Sequence, residues 1–240
     1  MSTSSALVCG FGDLAAGIGG LAWDLGEPEA VLLSGDEVKP GSFALEEGGE
    51  AISVAITGED GSIEADLVIQ ATGEVDAGGE APARVLSMSC TAEVRHPGAA
   101  QTTRCAGQLL RWNGDLGAVA TFRHLWVDAG AESLLAATAW GSPNAAGHGE
   151  ERALGWSFAG REAAAFEETL ISTQYDAAAN PTRIGLELWP EDADQTSRAA
   201  ATRVSGSLLG GVGAAGAWAG FFRCHADGSE GLVGYLVRRR

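Results

Sequence analysis

The sequence predicts an all-β protein built as two antiparallel lobes, each a barrel or sandwich, packed side by side. Three observations carry that expectation. Short alternating stretches of apolar and polar residues recur along the chain, Gly, Pro, Asn and Asp stand between them, and one pair is joined by an Asp-Gly dipeptide suited to a two-residue hairpin turn. The 240 residues, 45% hydrophobic and 20% charged, suffice for a sizeable core. Strand-like segments are similarly numerous on either side of Asn113-Gly114-Asp115, so the expected domains are residues 1–114 and 115–240.

The first element, ALVCGFGDLAAGIGGLAWDLGEPEAVLLSGDE, has two readings. Taken as strand, glycine turn, helix and strand it imitates a dinucleotide-binding unit: Gly10-x-Gly12-x-x-Ala15 meets the fingerprint, and Ala16-Gly17-Ile18-Gly19 resembles the turn of short-chain dehydrogenases. That makes an NAD(P)-dependent oxidoreductase using Gly10 to Gly20 the alternative function. Against it, Gly17, Gly19 and Gly20 each cost such a helix up to about 1 kcal/mol relative to alanine. Neither Tyr175 nor Tyr235 has a lysine four residues on, and the tight hairpins further along join antiparallel neighbours with no room for crossover helices. The stretch is therefore read as strands.

Ala51 to Ile69 forms the clearest hairpin, because both central residues of a type I′ turn need positive φ and Asp60-Gly61 tolerates it. Pairing outward sets Ile56 opposite Ala65, Val54 opposite Leu67 and Ile52 opposite Ile69, which makes one face apolar in both strands. A second hairpin runs from Arg84 to Trp112 around Pro97-Gly98, with Cys90 opposite Cys105 and Leu86 opposite Leu109. Further strands are expected at Gly117–Val127, Glu132–Trp140, Glu150–Phe158, Ala163–Tyr175, Thr182–Trp189, Ser197–Leu208, Ala217–His225 and Gly231–Arg239. Ala163–Phe166 and Asp192–Ala201 are Ala-rich and read equally as short helices.

The formal net charge is −17, from 32 acidic and 15 basic residues of which only Lys39 is a lysine. Such a surface repels phosphate backbones, so nucleic acid and anionic membrane are excluded as expected partners. Cys9, Cys90, Cys105 and Cys224 are scattered without metal-ligand spacing; they are expected as small core residues, with no metal and no disulfide. The start, MSTSSALVCGFGD, lacks a basic region before an apolar run, so no secretion signal is read and a cytoplasmic location is expected. Val204 to Phe222 is uncharged and about as long as a spanning helix, but six glycines weaken it, and two strands joined at a Gly-rich bend are preferred to a membrane span.

Candidate chemistry centres on TFRHLWVDAG, Thr121 to Gly130. In a strand, Phe122, His124 and Trp126 share one face and Thr121, Arg123, Leu125 and Val127 the other. By the same alternation Glu167, Thr169, Ile171, Thr173 and Tyr175 share a face. Other motifs are weak. His148-Gly149-Glu150 has no Pro-Cys-x-x-Cys partner, the adjacent Glu167-Glu168 pair points to opposite faces, and Val204-Ser205-Gly206-Ser207 lacks the first glycine of a nucleophile elbow.

Phe11-Gly12-Asp13 followed by Gly17-Ile18, the paired segments LAWDL and AVLLSG, then FRHLWVDAG, GHGEER, FEETLISTQYD and the closing FFRCHADGSEGLVGYLVRRR, taken as a pattern of strand lengths and turn positions, resemble the two-lobed lipocalin-like (calycin) proteins grouped with hydroxyneurosporene synthase. The resemblance implies two calycin-type β-barrels, no cofactor, and binding, hydration or cyclisation of an isoprenoid or other apolar small molecule. On that reading Phe122, Trp126 and Tyr175 line a cavity, His124 and Glu167 are catalytic and bring a proton to an alkene, and Arg123 points to solvent. Two other readings stay open: His124 satisfied by a neighbour in a packed core, and a structural β protein with no ligand.

Overall fold

The computed structural model describes residues 6–25, 28–48, 51–59, 64–76, 83–96, 99–112, 119–128, 133–142, 150–159, 162–190, 196–209, 216–226 and 229–239. Eight strands, β1 (Ala6–Asp13), β2 (Ile18–Asp24), β3 (Pro28–Ser34), β4 (Glu37–Gly48), β5 (Ala51–Gly58), β6 (Glu64–Asp76), β7 (Ala83–His96) and β8 (Ala99–Trp112), form a closed antiparallel barrel in chain order. It closes where β8 returns to β1, Ala6 facing Trp112. Nine more form one antiparallel sheet: β9 (Thr121–Asp128), β10 (Ser133–Gly141), β11 (Arg152–Ala159), β12 (Glu162–Ala165), β13 (Glu168–Tyr175), β14 (Pro181–Trp189), β15 (Ser197–Leu209), β16 (Gly216–Ala226) and β17 (Ser229–Arg239). Their order is β12-β11-β10-β9-β17-β16-β15-β14-β13, so the last strand pairs with the first. The sheet curls until its ends meet where β12 runs on into β13; there Phe166 N donates to Gly155 O beside β12's pairing with β11 and Glu167 N to Trp189 O beside β13's pairing with β14, both 3.0 Å.

The expected all-β, two-lobed antiparallel fold is the one observed. The hairpin registers agree residue for residue: Ile56 pairs with Ala65, Val54 with Leu67 and Ile52 with Ile69, and Cys90 with Cys105 and Leu86 with Leu109. The turns Asp60-Gly61 and Pro97-Gly98 themselves, and His148, lie outside the described residues. Two alternatives are corrected. Gly10 to Gly20 belongs to an antiparallel hairpin, not a strand–turn–helix: Asp13 Oδ1 accepts hydrogen bonds from Ala15 N (2.9 Å) and Ala16 N (3.1 Å), and Gly17 supplies the positive φ of 65° that closes the turn. The Ala-rich pieces are strands, Glu162–Ala165 being β12 and Ser197–Ala201 lying in β15, because each finds an edge to pair with. The uncharged glycine-rich segment is divided between β15 and β16, with Leu208 facing Trp218; no helix among the described residues is long and apolar enough to cross a membrane.

Alternation sorts the buried residues into three layers. Inside the barrel lie Cys9, Phe11, Ile18, Ala22, Leu32, Val54, Ile56 and Leu109. On the concave side of the sheet lie Leu125, Val127, Ile171, Leu186, Trp218, Phe222 and Tyr235. Between the two lies the largest layer, where Val8, Leu21, Trp23, Leu110 and Trp112 of the barrel's outer wall meet Phe122, Trp126, Trp156, Phe221 and Leu232 of the sheet's outer wall. Strands β2 and β9 are consequently buried on both faces. This accounts for their nearly continuous apolar sequence, which an antiparallel strand with one wet face would not show.

The glycines that imitate a nucleotide fingerprint serve this middle layer. Gly10 and Gly12 turn their missing side chains toward the sheet, and the indole of Trp126 lies against that bare backbone and against Gly234, its own cross-strand partner. A Cβ at Gly10 or at Gly234 would overlap the indole, and one at Gly19 would sit 2.8 Å from Phe221. Gly10→Val should therefore destabilise the protein by about 1–3 kcal/mol through overpacking, and the double variant Gly10→Val/Trp126→Leu should recover part of that loss in denaturant unfolding. Equal stability of Gly10→Val and the parent would contradict this account of the glycines.

Candidate functional site

Strand β9 carries polar groups on both of its buried faces, and they go to different places. His124 points into the layer between barrel and sheet and is fully buried. Gln108 Nε2, reaching across from β8, donates to His124 Nε2; His124 Nδ1 then donates to Thr138 Oγ1 at 2.7 Å on the neighbouring strand β10. Removal from water pushes the imidazole pKa down to about 3, so it is a neutral bridge that ties the barrel to the sheet. Phe122 and Trp126 flank it in the same layer, Phe122 meeting Trp112 edge-on at 5.7 Å.

The opposite face of β9 lines the concave side of the sheet, which reverses the expectation for Arg123. Its side chain is not in solvent but 3% exposed. Nη2 donates to Glu151 Oε2 in a buried ion pair, and Nη1 donates to Ile171 O at 3.1 Å and Thr173 Oγ1 at 3.3 Å. Thr121 Oγ1 donates to the other carboxylate oxygen of Glu151 at 2.9 Å, while Tyr235 Oη and Thr173 Oγ1 share a 2.9 Å hydrogen bond. Burial opposes the charge on Arg123, yet the neighbouring Tyr235 and Glu151 outweigh it and its pKa is raised. Burial likewise raises that of Tyr235, despite the nearby guanidinium, and keeps its O–H a donor. Arg123 Nε has no hydrogen-bond partner among the described residues.

This cluster sits at one end of an otherwise apolar wall. Arg123 and Tyr235 continue rows in which Leu125, Val127, Val233 and Val237 face the same way. Glu167 is placed elsewhere, exposed on the bend before β13, because the face shared by Thr169, Ile171 and Thr173 ends there. Tyr175 lies half-buried past a bulge at the other end of β13, close enough to Tyr235 to influence its ionisation electrostatically. The structure thus brings Tyr175 near the Arg123 cluster, keeps Phe122, His124 and Trp126 together behind it, and holds Glu167 apart. Sequence reasoning missed Arg123, Glu151, Tyr235, Gln108 and Thr138 as partners. One signal was present: Arg123 shares its strand face with Leu125 and Val127, an apolar face on which an arginine needs a buried counter-charge.

Cys9 and Cys224 are buried and Cys105 is partly so; all three are free thiols, and burial raises the pKa of Cys9 to about 12 and of Cys224 to about 11. No group of metal-ligating side chains occurs among the described residues.

No family model and no curated protein sequence matches the chain. Solved structures do share its fold. An AttH-like protein of Nitrosomonas europaea superposes with a TM-score of 0.66 at 11% identity, covering 98% of this chain and 90% of that one. Kievitone hydratase from Nectria haematococca gives 0.64 at 12% identity, covering 98% and 87%. CghA in complex with Sch210972 gives 0.61 at 9% identity, covering 100% and 89%. These likenesses establish the lipocalin-like, two-lobed fold.

Two measurements check the roles assigned to β9. A depressed imidazole pKa means the unfolded chain binds a proton that the folded one refuses, so His124 costs stability as pH falls from about 6.5, its usual value, toward 3. Compared with His124→Gln, the parent should lose up to about 1.4 kcal/mol more per pH unit in that window, and parallel slopes would remove His124 from the bridge. Glu151→Gln leaves Arg123 buried without its counter-charge and should cost about 3–5 kcal/mol in denaturant unfolding, much of it returned by Arg123→Met/Glu151→Leu.

Proposed function

We propose that the protein binds an apolar, isoprenoid-like small molecule on the concave face of the β9–β17 sheet, with the Arg123 cluster holding the one polar oxygen which that molecule carries. The supporting observation is the buried guanidinium whose Nε–H has no acceptor among the described residues, at the end of a wall of aliphatic and aromatic side chains. An unfilled buried donor costs about 1–3 kcal/mol, and a carbonyl or hydroxyl oxygen would relieve it. Hydration or cyclisation is the chemistry for which the cluster is equipped: Arg123 and Tyr235 can donate to an oxygen as negative charge develops on it, and Glu151 can accept a proton. In a hydration, the water oxygen would bond to the alkene carbon conjugated with that carbonyl. One proton of the water would pass to Glu151, the π electrons would move onto the carbonyl oxygen, and return of that proton from Glu151 to the carbon next to the carbonyl, as the C=O re-forms, would complete the addition.

This assigns the proton chemistry to Arg123, Glu151 and Tyr235 rather than to His124 and Glu167, retains Tyr175 as a lining residue, and gives Phe122 and Trp126 to the packing between barrel and sheet. The fold shared with kievitone hydratase and CghA supports the reading. A grouping with hydroxyneurosporene synthase and a division into domains 1–114 and 115–240 belong to the same proposal. A second reading, a β protein without ligand, is favoured by one observation: Trp218, Phe222 and Tyr235 pack on one another with ring centroids 5.8 to 6.5 Å apart across the concave face.

Titration with a fluorescent polyene fatty acid, a matched hydrocarbon and a reduced nicotinamide decides among these. Saturable binding of the polyene acid, weakened at least tenfold in Tyr235→Phe/Arg123→Met/Glu151→Leu, is expected, with none of the nicotinamide. Failure of every apolar probe would leave the ligand-free reading standing.

A further inference from the structure

On the outer face of the sheet, away from the Arg123 cluster, a groove of about 360 Å³ opens over β13–β16. Its floor is made by two small residues, Gly185 and Ala200, which face each other across β14 and β15. Ser172 and His225 continue the same rung on either side. The next rung runs Gln174, Arg183, Thr202, Arg223 across the four strands. Neighbouring strands lie about 4.8 Å apart, so the two arginine backbones stand about 10 Å from each other with the Thr202 hydroxyl midway between them. Both guanidiniums are long enough to converge above that hydroxyl.

The charges on this face are unevenly paired. Arg198 meets Glu187 at 3.5 Å and His225 meets Glu230 at 3.3 Å. Arg183 and Arg223 are exposed and meet no carboxylate among the described residues, although the chain carries 32 acidic residues for 15 basic ones. Among the described residues no carboxylate lines the groove; Arg183 stands at its rim with the amide of Gln174, the hydroxyls of Ser172 and Thr202 and the imidazole of His225, while Arg223 lies one strand beyond Thr202, just outside the lining. Two like charges on one rung repel each other, and an anion that both side chains can reach relieves that repulsion. Guanidinium forks match the oxygens of a tetrahedral oxyanion, and two of them neutralise a dianion where a carboxylate would leave one charge over.

We propose that this groove binds a small phosphate monoester, the phosphoryl oxygens held by Arg183, Arg223 and the Thr202 hydroxyl, and the organic part lying over Gly185 and Ala200. The volume exceeds what a phosphate alone needs and falls within the range of small-molecule sites. Among the described residues the lining holds no Phe, Tyr or Trp, and its one ring, the imidazole of His225, is paired with Glu230, so a short aliphatic or polyol ester fits it better than a nucleotide base. The site is independent of the concave face, so neither proposal depends on the other.

The test is calorimetric titration of the full chain with inorganic phosphate, glycerol 3-phosphate and free glycerol, beside flotation with phosphatidic acid vesicles. Glycerol 3-phosphate should bind at least tenfold more tightly than inorganic phosphate, and glycerol should not bind. Arg183→Gln and Arg223→Gln should each weaken the ester at least tenfold and together abolish its binding. Ala200→Leu, at an exposed position, should fill the floor and erase the preference for the ester over phosphate while leaving phosphate binding intact. Unchanged circular dichroism and denaturant midpoints would confirm that the three variants fold. Equal binding by parent and double-arginine variant, an unchanged ester preference in Ala200→Leu, no binding of any phosphate, or capture by vesicles without binding of the free ester would each overturn the proposal.

Discussion

The indole of Trp126 lies between two stretches of bare backbone, Gly10 on the barrel and Gly234 on its own sheet, and the arrangement of the molecule depends on that close approach. A ring enclosed by glycines lets two curved sheets come nearer than facing side chains would allow. The remaining large residues of the middle layer, among them Trp23, Trp112, Trp156 and Phe221, fill the space around it. Because the walls are this close, a glutamine on β8 reaches the imidazole of His124 directly. The apolar layer supplies most of the attraction, as burial of aromatic rings generally does, and the polar bridge fixes how the walls are aligned.

Much of the fold was legible because hairpins advertise themselves locally. Asp60-Gly61 with alternating apolar residues on each side specifies a pairing, and the observed register follows it. The glycine-rich beginning misleads for a physical reason: glycine is used wherever another group must approach backbone closely, and a phosphate and an indole ask for the same thing. Alternation in TFRHLWVDAG correctly separated Phe122, His124 and Trp126 from Arg123, Leu125 and Val127, but it does not say which set faces which neighbour. For a strand with one wet face the polar residues answer that question. On β9 both faces are covered, so the pattern is silent, and only the arrangement of the barrel against the sheet decides it. Glu151 was invisible as a partner for the same reason, since its contact joins Arg123 on β9 to the residue just before β11 across a curled surface.

The two buried polar groups of β9 illustrate different solutions to one problem. His124 gives up its charge and uses both ring nitrogens in neutral hydrogen bonds. Arg123 cannot give up its charge, so Glu151, Thr173 and the carbonyl of Ile171 surround it. The first solution produces an inert joint. The second produces a strongly polarised spot in an apolar wall, which is the kind of place where a bound molecule feels a large local field.

The strand order of the second sheet has a consequence for biosynthesis. Barrel strands pair with their chain neighbours and closure needs nothing beyond Trp112, so the barrel can assemble while the rest of the chain is still being made. The sheet cannot: β17, the last of its nine strands in chain order, occupies its middle and joins β9 to β16. Until it arrives, the outer wall of the finished barrel, with Val8, Leu21 and Leu110, lacks the part of its cover that Leu232 and Leu236 supply. Nascent chains therefore pass through a stage with an exposed apolar surface and two unpaired strand edges, when a holding chaperone has most to offer.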